Sequence, residues 1–127
     1  MVPEVMRVVT GNKLVFTDGT LEGYGRYRLR GRVYPGIIKS AHESVQGRIY
    51  NGVNRYSLAR LDKFEAEEYR RIRVCITGVD GRRVMAWAYV IRKRYIKFLT
   101  REAWDVEEFR NNHLKHYLQR IVARTQG

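Results

Sequence analysis

The stretch Arg26-Tyr27-Arg28-Leu29-Arg30-Gly31-Arg32-Val33, followed by Tyr34-Pro35-Gly36, alternates arginine with apolar or small residues at a period of two. Successive side chains of an extended chain point to opposite faces, so the four arginines share one face. Tyr27, Leu29 and Val33 share the other. The spacing predicts a strand from Arg26 to Val33, half-buried in a sheet. Tyr34-Pro35-Gly36 reads as its end, because proline cannot donate to a ladder and glycine permits a tight turn.

Outward from that strand, the punctuation of the chain predicts its other elements. Pro3 to Thr10 reads as a short helix, with proline in its first turn and Gly11 as its stop. Lys13 to Phe16 is a short apolar run, a strand or a loop edge. Val45 to Val53 reads as a second strand, with Val45, Gly47 and Ile49 on one face. Ile72, Val74 and Ile76 alternate up to Val79, and Asp80-Gly81 supplies a primed hairpin turn. The return segment, Val84 to Ile91, is apolar on both faces, which predicts a central strand. Asp105 and Glu108 have the spacing of a capping box, opening one C-terminal helix with Phe109, Leu114, Tyr117, Leu118 and Ile121 at helical spacing. The order α-β-β-α-β-β-α predicts an α+β fold with a mixed sheet. Residues 1–127 form one domain on this reading, with no repeat, linker or low-complexity segment.

Between the second strand and the hairpin lies Leu58-Ala59-Arg60-Leu61-Asp62-Lys63-Phe64-Glu65, closed by Tyr69-Arg70. At ~100° per residue, Leu58, Leu61 and Phe64 form one apolar stripe of a helix. Glu65 falls four residues after Leu61 and seven after Leu58, beside that stripe. A carboxylate facing a core must be paired, protonated or employed. Glu65 is therefore the first candidate for chemistry, and a helix-end glutamate paired with one of many arginines is the rival reading.

Composition frames what such a site could serve. The chain has 127 residues, is 44% hydrophobic and carries a formal net charge of +12. No run approaches the roughly 18 apolar residues of a membrane span, and the N-terminus lacks a signal-peptide core. Cys75, the sole cysteine, sits in a strand pattern without an intrachain partner and reads as a buried small hydrophobe. These features place the protein in a reducing cytoplasm, away from membranes. The excess charge would attract nucleic acid or another polyanion. It is spread along the chain without a recognisable binding motif, so a solvated basic surface is the plainer reading. His42, His113 and His116 lack the spacing of a metal site, and no glycine-rich phosphate loop or activated nucleophile is evident.

Thr20-Leu21-Glu22-Gly23-Tyr24-Gly25-Arg26 through Val33-Tyr34-Pro35-Gly36-Ile37, then Val45-Gln46-Gly47-Arg48-Ile49-Tyr50, Leu61-Asp62-Lys63-Phe64-Glu65, Tyr69-Arg70, Trp104-Asp105-Val106-Glu107-Glu108-Phe109 and His113-Leu114 occur in that order. Together they resemble the gamma-glutamylcyclotransferase-like family, the group that includes the plant avirulence-induced proteins. The resemblance implies an α+β, gamma-glutamylcyclotransferase-like mixed β-barrel with peripheral helices. It implies that Glu65 lines a cavity and acts as general acid/base in an acyl transfer. There the α-amine of a γ-glutamyl amine or peptide attacks its own γ-carbonyl, expelling an amine and leaving 5-oxoproline. Tyr34, Pro35 and Gly36 would shape the wall, and Tyr69 and Tyr89 would supply hydroxyls. No metal and no organic cofactor is implied.

The resemblance has one gap. Family members begin with an apolar strand ending in Tyr-Gly-Thr-Leu, whose backbone amides hold the glutamyl part. Met1-Val2-Pro3-Glu4-Val5-Met6 resembles the sequence just after that loop, and Asp18-Gly19-Thr20-Leu21 matches a later segment. The first strand is therefore expected to be missing, with activity poor in this form and a sheet edge open to a second chain. Either the true start lies upstream, or the chain is a non-catalytic binding module with a basic surface for polyanions.

Overall fold

The computed structural model describes the chain through residue 126, with side chains through residue 122. Helix α1 spans Pro3–Thr10 and stops at Gly11, whose φ of 76° lets its N–H reach the carbonyl of Arg7 at 2.8 Å. The helix has the bounds the sequence predicts, and its buried Val5, Met6 and Val9 recur at helical spacing. They pack with Val2, Leu61, Phe109 and Ile121 into the main core. Each such side chain contributes about 1.5–3 kcal/mol on burial.

The arginine strand is longer at its start and shorter at its end than expected. Strand β1 spans Phe16–Leu29 and pairs antiparallel with β2, Pro35–Tyr50, from Phe16↔Tyr50 to Arg28↔Pro35. A register shift between Glu22 and Tyr24 falls at Gly23, whose φ of 81° suits a bulge. Arg30 and Arg32 lie in the connecting turn with Gly31, so only Arg26 and Arg28 keep the predicted alternation. Nor is the arginine face uniformly solvated: the Arg26 guanidinium is half-buried, 5.0 Å from the Trp104 ring centroid. Pro35 and Gly36 open β2 rather than closing β1, because a proline is tolerated at the first residue of a strand. The strand expected from Val45 is thus the second half of β2, and it ends at Tyr50.

Helix α2, Arg55–Glu65, is capped by the Asn54 side chain, which accepts from the Ser57 N–H at 2.9 Å. Strands β3, Tyr69–Gly78, and β4, Arg83–Ile91, form the predicted hairpin. Gly81 has a φ of 79°, and the Asp80 carboxylate accepts from the Arg82 N–H at 3.0 Å. The turn is not of the expected primed type: Asp80 has no positive φ, and the Gly81 N–H closes on the Gly78 carbonyl at 3.0 Å in a longer loop. Two further expectations fail here. Strand β4 ends the ladder path β2-β1-β3-β4 instead of lying centrally, and Val84, Met85 and Trp87 are exposed on it. Cys75 is exposed, not buried. An unbroken apolar run is ambiguous between a central strand and a bare edge.

A 3-10 segment, Lys93–Phe98, leads into β5, Leu99–Ala103, which pairs with β1 through Tyr27↔Ala103 and Leu29↔Leu99. The predicted C-terminal helix is two helices, α3, Val106–Asn112, and α4, Leu114–Gln126, divided at His113. Asp105 caps α3 by accepting from the Glu107 N–H at 3.1 Å. Glu108 instead holds the Nε2 of His113 at 2.9 Å, so the capping box is not reciprocal.

Helices and an antiparallel sheet make this an α+β fold. Every pairing among the described residues is antiparallel, which corrects the mixed sheet. The expected barrel is not closed either. The start of β2 packs on the end of β4, where a Cβ on Gly36 would lie 3.4 Å from Ile91 Cδ1, but no ladder joins the two strands.

Candidate acid/base site

Glu65 is the last residue of α2, and the helix stripe places it. Leu61, 3% exposed, and Phe64 pack into the main core, so the next position on that side is drawn inward too. Glu65 keeps part of its surface but its carboxyl is shielded from water. Burial pushes its pKa up to about 7; the Met1 amino group opposes that rise and Glu68 adds to it. No side-chain hydrogen bond or ion pair among the described residues holds the carboxylate.

After a three-residue turn ending at Glu68, the chain enters β3 at Tyr69. The Tyr69 ring is buried, and its hydroxyl donates to the Pro35 carbonyl at 2.5 Å. Burial foremost, then the charges of Glu65 and Glu68, raise the Tyr69 pKa. Tyr34 faces it with ring centroids 6.4 Å apart, and Tyr117 stacks on Tyr34 at 5.8 Å. The Tyr34 hydroxyl donates to Glu68 Oε1 at 2.6 Å, while the Arg32 Nε holds Glu68 Oε2 at 3.1 Å. The hydroxyls of both tyrosines are thus committed to acceptors, which fits them for positioning rather than for giving up protons.

The other expected residues are placed less directly. Tyr89 donates to Asp62 Oδ1 at 2.6 Å, and Arg71 Nε lies 3.0 Å from the same oxygen. Asp62 precedes Glu65 by three positions, and the Glu65 charge helps to raise the Tyr89 pKa after burial and Asp62. Pro35 contributes its carbonyl. Gly36 is buried for packing: a Cβ there would lie 3.0 Å from Leu99 Cδ2. The fold therefore joins Tyr69, Tyr34 and Pro35 by direct contacts, sets Glu65 within electrostatic reach of Tyr69, links Tyr89 through Asp62, and uses Gly36 to admit Leu99 and Ile91.

Glu68, Asp62, Arg32 and Tyr117 were not singled out from sequence. Arg32 and Glu68 are 36 residues apart, so no local spacing could announce the pair. An open cleft of about 460 Å³ is lined by Arg32, Glu67, Arg94, Tyr95, Lys97 and Phe98. Another of about 340 Å³ lies between β1 and β3. Neither is lined by Glu65; Arg32, through Glu68, is what links the first to its neighbourhood.

Chemically, a carboxyl near half-protonation at neutral pH can both take and return a proton. No group of three or more histidine, cysteine, aspartate or glutamate side chains among the described residues is placed to hold a metal ion.

Comparison with known proteins gives a consistent set. The family model described as gamma-glutamyl cyclotransferase, AIG2-like, matches residues 1–108. AIG2-like protein A of Arabidopsis thaliana is 32% identical over 118 residues, covering 92% of this chain and 71% of that protein. AIG2-like protein D of the same plant is 30% identical over 121 residues, covering 94% and 79%. A solution structure of an Arabidopsis thaliana protein has a TM-score of 0.72 at 27% identity, covering 99% of this chain and 76% of that one. A gamma-glutamyl cyclotransferase has a TM-score of 0.59 at 14% identity, covering 94% and 79%; at that identity the likeness is one of fold.

Proposed function

The chain belongs to the gamma-glutamyl cyclotransferase, AIG2-like family, and from that premise we propose that it cyclises a γ-glutamyl amine or peptide to 5-oxoproline, with Glu65 as general acid and base. The observation that carries this reading is the Glu65 carboxyl, raised by burial to about 7 and held by no side-chain hydrogen bond among the described residues. A carboxyl so poised fits both halves of the reaction.

In the first half, the Glu65 carboxylate accepts a proton from the substrate's α-ammonium. The freed amine attacks the γ-carbonyl carbon, and a tetrahedral intermediate forms. In the second half, the protonated carboxyl gives its proton to the leaving nitrogen as its bond to that carbon breaks. The regenerated carboxylate then takes the second proton from the attacking nitrogen, which becomes the lactam N–H, and passes it to the departing amine. The products are 5-oxoproline and an ammonium ion, and Glu65 ends as it began. Tyr69 and Tyr34 act as positioning residues: they tie β2 and Glu68 to the helix end that presents Glu65. Tyr89 steadies α2 through Asp62.

The test is release of 5-oxoproline from γ-glutamyl amines and γ-glutamyl dipeptides by the purified protein and by Glu65→Gln. General acid/base transfer supplies about 10²- to 10⁴-fold in rate, so the variant should lose at least that lower factor while melting cooperatively. Equal turnover by the variant, or no 5-oxoproline from either substrate class, contradicts the reading.

A further inference from the structure

We propose that the solvent-exposed, turn-proximal part of the β3–β4 hairpin binds single-stranded nucleic acid, with Trp87 and its flanking guanidinium groups as a stacking platform and Arg83 as a phosphate ligand. This goes beyond the cyclisation chemistry: Trp87, Arg73 and Arg83 take no part in the acid/base site, and Arg71, tied to Asp62, is where the two regions meet.

Register assembles the surface. Arg71↔Tyr89, Arg73↔Trp87, Cys75↔Met85 and Thr77↔Arg83 are directly opposed pairs, and alternate residues of a strand share a face. The guanidinium carbons of Arg71 and Arg73 lie 4.2 and 5.1 Å from the Trp87 ring centroid. Asp62 anchors Arg71, whereas Arg73 and Arg83 form no ion pair among the described residues. Trp87 is nonetheless 48% exposed and Met85 beside it 56%. A large aromatic so exposed within a cluster of cations is costly to hydrate and is not needed by either core.

Two further features open the surroundings of Trp87. Strand β4 ends the ladder path, so its outer edge pairs with no strand among the described residues. Strand β1 leaves β3 after only Gly19↔Gly78 and Thr20↔Thr77, and Arg73, Arg83, Tyr24 and one carboxylate, Glu22, line the cleft of about 340 Å³ where the two diverge. Two guanidinium groups and a half-buried tyrosine therefore continue from the hairpin into a groove, against a single carboxylate.

The chemistry of the occupant follows. Unpaired bases present flat π faces that stack on indole rings and guanidinium planes, while their phosphates meet unpaired arginines. A duplex hides those faces, and an acidic peptide offers carboxylates without them. The formal net charge of +12 supplies long-range attraction for any polyanion; the platform adds the preference for bases.

Fluorescence anisotropy with labelled oligothymidylate and oligouridylate tests the proposal, with heparin as a polyanion that has no bases. Trp87→Ala should weaken oligonucleotide binding about tenfold or more, Trp87→Phe should restore most of it, and heparin affinity should stay within about twofold. The double variant Arg73→Ala/Arg83→Ala should lower the salt dependence of binding by about one to two phosphates, whereas Lys39→Ala and Lys115→Ala should leave oligonucleotide affinity unchanged. Absence of binding at low salt, preference for duplex, or equal losses for heparin and oligonucleotide in Trp87→Ala would each overturn it. So would capture of an acidic peptide in preference to the oligonucleotide.

Discussion

Glu65 leaves a thermodynamic trace that needs no substrate. Its pKa rises from an ordinary 4.5 to about 7 on folding, chiefly through burial. Between those values the folded chain keeps a proton that the unfolded chain has released, so stability falls as pH climbs through that window. Below about 4.5 the penalty is absent, and above about 7 it is complete. Glu65→Gln removes it and should raise stability at pH 8 by on the order of 1–3 kcal/mol, with the gain vanishing at low pH. Thermal melts of both forms across pH measure this. Tyr69→Phe should cost about 1 kcal/mol or more by stranding the Pro35 carbonyl, read as a lower urea midpoint. Glu65 was legible in the sequence because helical period alone set it beside Leu61 and Phe64. Glu68 was not, since its partners Arg32 and Tyr34 come from a turn far away in the chain.

Among the elements, the same contrast separates what local pattern decides from what neighbours decide. Helix α1 and the β3–β4 hairpin were legible because Pro3, Gly11 and Asp80-Gly81 punctuate them. The start of β1 was not, because Phe16 to Thr20 become strand by pairing with Tyr50 to Gln46. Gly19 and Gly47 are partners in that pairing and give a matched test. A Cβ on Gly19 would lie 2.7 Å from Ile76 Cγ2 and 2.8 Å from Ile49 Cδ1, whereas one on Gly47 meets nothing within 4 Å. Gly19→Ala should therefore destabilise by about 1–3 kcal/mol and Gly47→Ala should be close to neutral, in parallel denaturant titrations. Asp105→Ala should cost about 1 kcal/mol by uncapping α3.

For the molecule as a whole, the α+β class was legible, while the sheet's closure and edges were not. Apolar content on both faces of β4 suggested a central strand, yet tertiary pairing left it at an end of the ladder with Trp87 bare. The break at His113 and the pairing of β5 with β1 likewise arise from packing between distant segments. What the assembly accomplishes is to bring the end of α2, the start of β3 and the start of β2 to one place, so that Glu65 is shielded there. The most direct test of that account is the pH dependence of kcat/KM for 5-oxoproline release. It predicts a rise with pH through a limb centred near 7 that Glu65→Gln abolishes. A limb centred near 4.5, or an unchanged profile in the variant, would contradict it.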